Sequence, residues 1–449
     1  MSLMTIINSS WDLSSLVEVG GGKIDLEIKF LVFAVSLISV FLIEHSKYSS
    51  KINLSGYITN LRFWIIISVL FTVVTVSTIL RLHFPSVSSL FYRLFGVNQL
   101  DLRYADMDYF VKTTSCPGNF RVGDLISCEE TSLVYLYPSG VIRFMLDFLD
   151  LRKYVDVLQL FQLSLFVGAV FLLCRMGTQM TYWLVLLLVA SPQMQLLLER
   201  GNVDLFVLTL TIFACLAFAQ KKRSLNWIGF FCLCLGALLK FYLLPAVIVG
   251  SIVVFRYRDR LYAIGIALLF SIWLVPEILL SSYSSINELK GTFGLQSLIY
   301  FVNGRISTLE SIPNLISLCI SLLLCTILFF SGYYKARIMF GFNQGYTPGV
   351  LVLVTIFLSV WFFTNSYHYK LVFLTVAFIF LIRDLKIGKA ANQNFTFLVF
   401  LNILALLAYR ETFFLVSNVV IVFCCGLLAF VFTAKLSQVE RVQILPRFL

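Results

Sequence analysis

A chain of 449 residues with 59% hydrophobic and only 13% charged residues cannot coat a water-facing surface, because soluble domains carry about 25% charged residues. In a soluble protein the net charge of +11 would point to nucleic acid. Here the basic residues sit in short clusters between apolar runs, which is the pattern of cytoplasmic anchors, so no nucleic-acid partner is expected. Only three His occur and no CxxC spacing, which removes the usual zinc ligand sets.

In chain order, the segment 1–61 opens with Asp12 and Glu18 and no basic stretch, unlike a cleavable signal peptide, and holds one apolar run at 28–44. A membrane span takes about 20 apolar residues. Further runs of that kind fall at 62–82, 154–174, 180–198, 203–219, 261–281, 313–333, 347–365, 370–383, 395–409 and 413–433. The stretch 226–255 is too long for one span and is interrupted by Lys240 and Pro245. It reads as two half-helices meeting near the outer face, and such breaks at membrane depth line cavities. The expectation is an all-α polytopic membrane protein with about 11 full spans plus one broken hairpin.

Basic residues at Lys47 and Lys51, Arg175, Lys221 to Arg223, Arg256 to Arg260, Lys335 and Arg337, Arg383 to Lys389, and Lys435 to Arg447 all fall on one side if the N-terminus is outside. The loop 83–153 is then outside. Its segment 142–150 has the spacing of a surface-lying amphipathic helix. Eight cysteines lie in or near apolar runs as small hydrophobes, whereas Cys116 and Cys128 share the outer loop and are disulfide candidates.

The same outer side collects the chain's unusual polar groups, and each has a plain reading beside a functional one. Asp106 and Asp108 stand just beyond a span, as solvated loop acids or as a base for an acceptor hydroxyl. Glu199-Arg200-Gly201-Asn202-Val203-Asp204 reads as a tight turn capped by Asn202 or Asp204, or as an anion site in which Arg200 forks onto a phosphate or sugar. Lys240, in Leu239-Lys240-Phe241-Tyr242-Leu243-Leu244-Pro245, is either a snorkelling anchor or a point charge for a phosphate. Tyr367-His368-Tyr369-Lys370 is an interfacial aromatic belt, or a donor and proton shuttle centred on His368. Gln296 with Asn303 and Arg305 is loop polarity or a set of sugar-hydroxyl contacts. No Walker, GxSxG, HExxH or Rossmann pattern occurs, so an activated substrate would arrive already in the membrane.

The order of Asp106 to Phe110, Tyr135-x-Tyr137-Pro138, Arg200 to Asp204, Leu239 to Pro245 and Gln296 to Leu298 resembles glycosyltransferase family 87, over roughly residues 60–370. The resemblance implies a GT-C-type core over 62–382, after an extra N-terminal span within 1–61 and before C-terminal spans and a tail at 383–449. It implies inverting transfer of a hexose, often mannose, from a polyprenyl-phosphate donor to a lipid-linked or glycan acceptor at the outer face of the inner membrane. Asp106, with Asp108 in reserve, would be the base, and Arg200 and Lys240 would meet the donor phosphate. Asn202, Asp204, Gln296, Tyr367 and His368 would orient sugar or acceptor. No metal or cofactor is called for. The stretch Lys112-Thr113-Thr114 before Cys116-Pro117-Gly118 departs from the family's small-residue pattern. A transporter or flippase, or a polysaccharide polymerase or ligase, is the competing class. A transporter is expected to show internal repeats, and a polymerase or ligase a large late loop.

Overall fold

The computed structural model describes residues 64–66, 68, 125–128, 131–134, 155–176, 179–220, 222–279, 292–293, 314–340, 347–363, 366–384, 389–406 and 414–444. Contacts divide the chain into Met1–Leu61 and Arg62–Leu449, and every described residue lies in the second unit. The expected span at 28–44 and nearly all of 62–82 lie outside the described residues, as does the amphipathic segment 142–150.

The described part is helical. Two helices precede the Gly201 turn, α1 (Val155–Met176) and α2 (Gln179–Ala190), followed by the short α3 (Pro192–Arg200). Next come α4 (Val203–Ala219), α5 (Arg223–Leu239), a 3-10 turn (Phe241–Leu243), α6 (Leu244–Val253) and α7 (Tyr257–Leu279). The remainder are α8 (Asn314–Phe340), α9 (Pro348–Phe363), a second 3-10 turn (His368–Leu371), α10 (Val372–Asp384), α11 (Lys389–Leu406) and α12 (Phe414–Ile444). Two short antiparallel ladders interrupt the helical pattern. β1 (Leu125–Cys128) pairs with β2 (Thr131–Val134) inside the expected outer loop, and β3 (Thr292–Phe293) pairs with β4 (Ser366–Tyr367).

The helices form where the sequence offers uninterrupted apolar residues, and they stop at identifiable signals. The run 226–255 does break, at Lys240, whose backbone is extended. The two arms return on each other: Trp227 packs on Phe255 with ring centroids 4.5 Å apart, and Asn226 Nδ2 donates to the Val254 carbonyl at 3.4 Å. The arms are unequal, because α5 is a full-length helix of 17 residues and α6 has 10. The expected single span at 180–198 is corrected. It breaks at Ser191, whose hydroxyl accepts from the Met194 amide at 3.2 Å while Pro192 starts α3. A serine cap followed by proline at the first helical position begins a new helix even inside an apolar run.

The centre of the unit is built from α4, α9 and α10, with Val372 to Ile382 entirely buried. Outside it, α8 lies along α12 in unusually close contact. A Cβ placed on Gly332 would strike the Phe423 carbonyl, and one on Gly426 would strike the Phe329 carbonyl. The two glycines therefore set the helix separation, as small residues do where packing brings backbones together.

The outward faces are apolar rather than charged. On α7 and α8, Ile272 is 71% exposed, Leu269 67% and Ile338 66%. Among the described residues, the stretches Leu322–Phe340 and Val416–Ala434 are each long and apolar enough to cross a membrane, and shorter apolar helices accompany them. Cysteines 174, 215, 232, 234, 325, 424 and 425 are free thiols packed among apolar side chains.

Candidate functional site

The turn between α3 and α4 is the best-defined local structure of the site. Gly201 takes φ 60°, ψ 36°, a left-handed conformation suited to glycine, and closes α3. Asn202 then caps α4: its Oδ1 accepts the Asp204 amide at 2.8 Å. Of the two expected caps, Asn202 is the one used, and the Asp204 side chain is left for another partner. Gln162 on α1 braces the turn by donating Nε2 to the Asn202 carbonyl at 2.6 Å.

Asp204 is fully buried in the first turn of α4. Its Oδ1 accepts the Tyr242 hydroxyl at 2.5 Å, and its Oδ2 has no hydrogen-bond partner among the described residues. The positive end of the helix dipole favours a carboxylate there. Tyr242 lies in the 3-10 turn just after the break at Lys240, so the bond ties the start of α4 to the broken hairpin. The ring of Tyr242 carries the third charge: Lys370 Nζ stands 4.9 Å from its centroid. Lys370 is only 9% exposed, and among the described residues it has no ion pair within 4.0 Å. Asp204 and Lys240 lie near enough for their charges to act on it. A cation over an aromatic face is held by the ring quadrupole, but that is thin compensation for burying an ammonium.

Arg200 ends α3, and α3 packs against the turn His368–Leu371. Tyr367 pairs with Thr292 through β3–β4, which ties the strand entering that turn to residues 292–293. The side chains of Arg200, Tyr367, His368 and Cys128 are not among those described. Asp106, Asp108, Cys116, Gln296, Asn303 and Arg305 lie outside the described residues altogether. Asn202 and Asp204 share the turn that Gln162 braces, and Asp204 and Lys240 lie within electrostatic reach of Lys370 around the Tyr242 ring.

A second set of polar contacts marks the opposite end of the same helices. Arg223 holds Asp259 through two bonds of 2.8 and 2.7 Å. Asp384 accepts the Thr347 amide and hydroxyl at 2.6 and 2.7 Å, with Arg383 closing the group. Cys215 contacts the Gly349 carbonyl nearby. Because α4, α5 and α10 each run from one group to the other, the site and the basic clusters at Arg223 and Arg383 occupy opposite ends. The 17 residues of α4 separate them by about 25 Å at 1.5 Å per residue.

The described residues contain no group of His, Cys, Asp and Glu arranged to hold a metal. No protein-family model, no curated protein and no solved structure matches this chain.

Proposed function

We propose that the chain is a multi-span inner-membrane glycosyltransferase of GT-C type, transferring a hexose, mannose by the resemblance, from a polyprenyl-phosphate donor at the outer face. The observation that carries this reading is the cluster of Asp204, Tyr242, Lys370 and Lys240 at the end of the helices remote from the basic loops. Ionisable groups at such depth are costly and mark sites that face an interior cavity. Two lysines beside a capped helix start suit a phosphate better than an uncharged solute. Membrane embedding is supported by the exposed apolar faces of α7 and α8, a pattern that soluble surfaces rarely show.

In this mechanism the lysines offset the charge that grows on the donor phosphate as it leaves. Asp106 takes the proton from the acceptor hydroxyl, whose oxygen attacks the anomeric carbon from the opposite side. One carboxylate suffices for inversion. Gln162 and Asn202 hold the turn that positions Asp204.

The test is transfer of labelled mannose or glucose from its polyprenyl phosphate by purified protein in lipid. Asp106→Asn should abolish transfer while the protein still unfolds at the wild-type temperature. Normal transfer by that variant would reject the assignment of the base. Transport is the second reading, because the helix break at Lys240 adjoins the cluster, and broken helices around a buried charge are also how transporters are built. Uptake or flipping of a lipid-linked sugar by proteoliposomes, without a new glycosidic bond, would favour it.

A further inference from the structure

This inference rests on the sugar-phosphate donor reading above and specifies how the site reads the sugar. Two glutamines of α1, Gln159 and Gln162, lie three residues apart and are only 3% and 2% exposed. Residues at that spacing share one helix face. Both spend their amide nitrogen on the turn between α3 and α4. Gln159 Nε2 donates to the Leu198 carbonyl at 3.5 Å, and Gln162 Nε2 to the Asn202 carbonyl at 2.6 Å. A backbone carbonyl only accepts, so each amide is fixed with its nitrogen on the turn and its oxygen turned away. Both Oε1 atoms are buried without a hydrogen-bond partner among the described residues. Asp204 Oδ2, two residues past Asn202, is in the same condition. The unmet groups at this turn are all acceptors, and a buried acceptor left unpaired is costly.

We infer that Gln159 and Gln162, with Asp204, form a subsite that reads free hydroxyls: their oxygens accept hydrogen bonds from the hexose that is transferred. What the turn lacks is donors, and a neutral hexose with its hydroxyls free supplies several on one small ring. A ring with a contacted hydroxyl missing, or capped as an ester or ether, leaves a buried oxygen unpaired and is rejected for that reason. The glutamines are uncharged, so this selection does not depend on how the phosphate is neutralised. The oxygens are covered by packing in the described state, so the ring enters as α1 draws back from the turn. The 3.5 Å bond of Gln159 is the weaker of the two holds. Gln193 provides an internal control. It makes the same kind of bond, to the Leu406 carbonyl at 2.6 Å, and also leaves Oε1 unpartnered among the described residues. It stands at the other end of α3, whose 9 residues span about 13 Å, and a single such amide carries no assignment.

The experiment is equilibrium binding to the full chain in lipid nanodiscs, with polyprenyl-phosphate mannose and glucose and their monodeoxy analogues as probes. In the wild type, at least one analogue should bind about tenfold more weakly than its parent, the scale of one unmet hydrogen bond. Gln159→Met and Gln162→Met keep the side-chain length and remove the amide. In one or both, the penalty for such an analogue should fall to about twofold or less, because the oxygen that missed the hydroxyl is gone. Gln193→Met should leave every penalty at its wild-type value. A glutamine that only braces the turn would weaken parent and analogue alike and move no penalty. If neither α1 variant folds, the wild-type penalties decide, and values all below about twofold overturn the subsite. Penalties unmoved by both α1 variants, the result expected if ordered water alone meets these oxygens, overturn it too and leave the donor reading standing. A wild type that binds neither parent overturns the donor reading as well.

Discussion

The bond between Tyr242 and Asp204 offers a quantitative test of how the site is held. Tyr242→Phe removes the hydroxyl but keeps the ring on which Lys370 rests, so the loss falls on one hydrogen bond. Both oxygens of a fully buried carboxylate would then be without hydrogen-bond partners among the described residues. Hydrogen bonds between helices in membranes average about 0.6 kcal/mol. Those to charged groups are worth about 1.5–3 kcal/mol, and the contact of 2.5 Å with a buried carboxylate belongs to the second class. The coupling energy should therefore reach about 1.5 kcal/mol. It is measured by a double-mutant cycle of Tyr242→Phe with Asp204→Ala, following unfolding by detergent in mixed micelles. A coupling at or below about 0.5 kcal/mol, no larger than the scatter between independent sites, would refute the view that this bond joins the hairpin to α4 through a charge.

Two further substitutions probe the frame around the site. Gly426→Ala places a methyl group against the Phe329 carbonyl, where backbone must yield, and should destabilise the α8–α12 pair by at least the ~1–3 kcal/mol typical of overpacking; the unfolding midpoint in micelles measures it. Gly201→Ala puts a Cβ into a left-handed residue and should cost about 1–2 kcal/mol, with weaker donor binding as the turn carrying Asn202 and Asp204 shifts.

Much of the helical pattern was legible because apolar runs of span length leave few alternatives. The break at Lys240 was legible too, since a charge and a proline together interrupt an otherwise unbroken run. The break at Ser191 was not read, although serine followed by proline is a strong start signal, because the surrounding apolar residues masked it. Asn202 and Asp204 looked interchangeable as caps. Only the position of Tyr242, 38 residues further on, decides that Asn202 caps and Asp204 faces the cluster. Lys370 was visible as one polar residue beside an aromatic belt. Its burial depends on a phenol ring from a distant helix break, which no local spacing encodes. Gln159 and Gln162 sit three residues apart in the apolar run of α1, and two amides on one helical face were an available signal. Gln159 reaches the Leu198 carbonyl at 3.5 Å and Gln162 the Asn202 carbonyl at 2.6 Å.

The proposal stands on the cluster lying at the non-cytoplasmic end of the helices. The most direct measurement is labelling of single cysteines by a membrane-impermeant thiol reagent, with Lys240→Cys at the site and Lys222→Cys beside the basic cluster. In intact cells, Lys240→Cys should react from outside and Lys222→Cys only after the membrane is opened. The reverse pattern, with Lys240→Cys reached only from the cytoplasm, would contradict outer-face transfer and the function built on it.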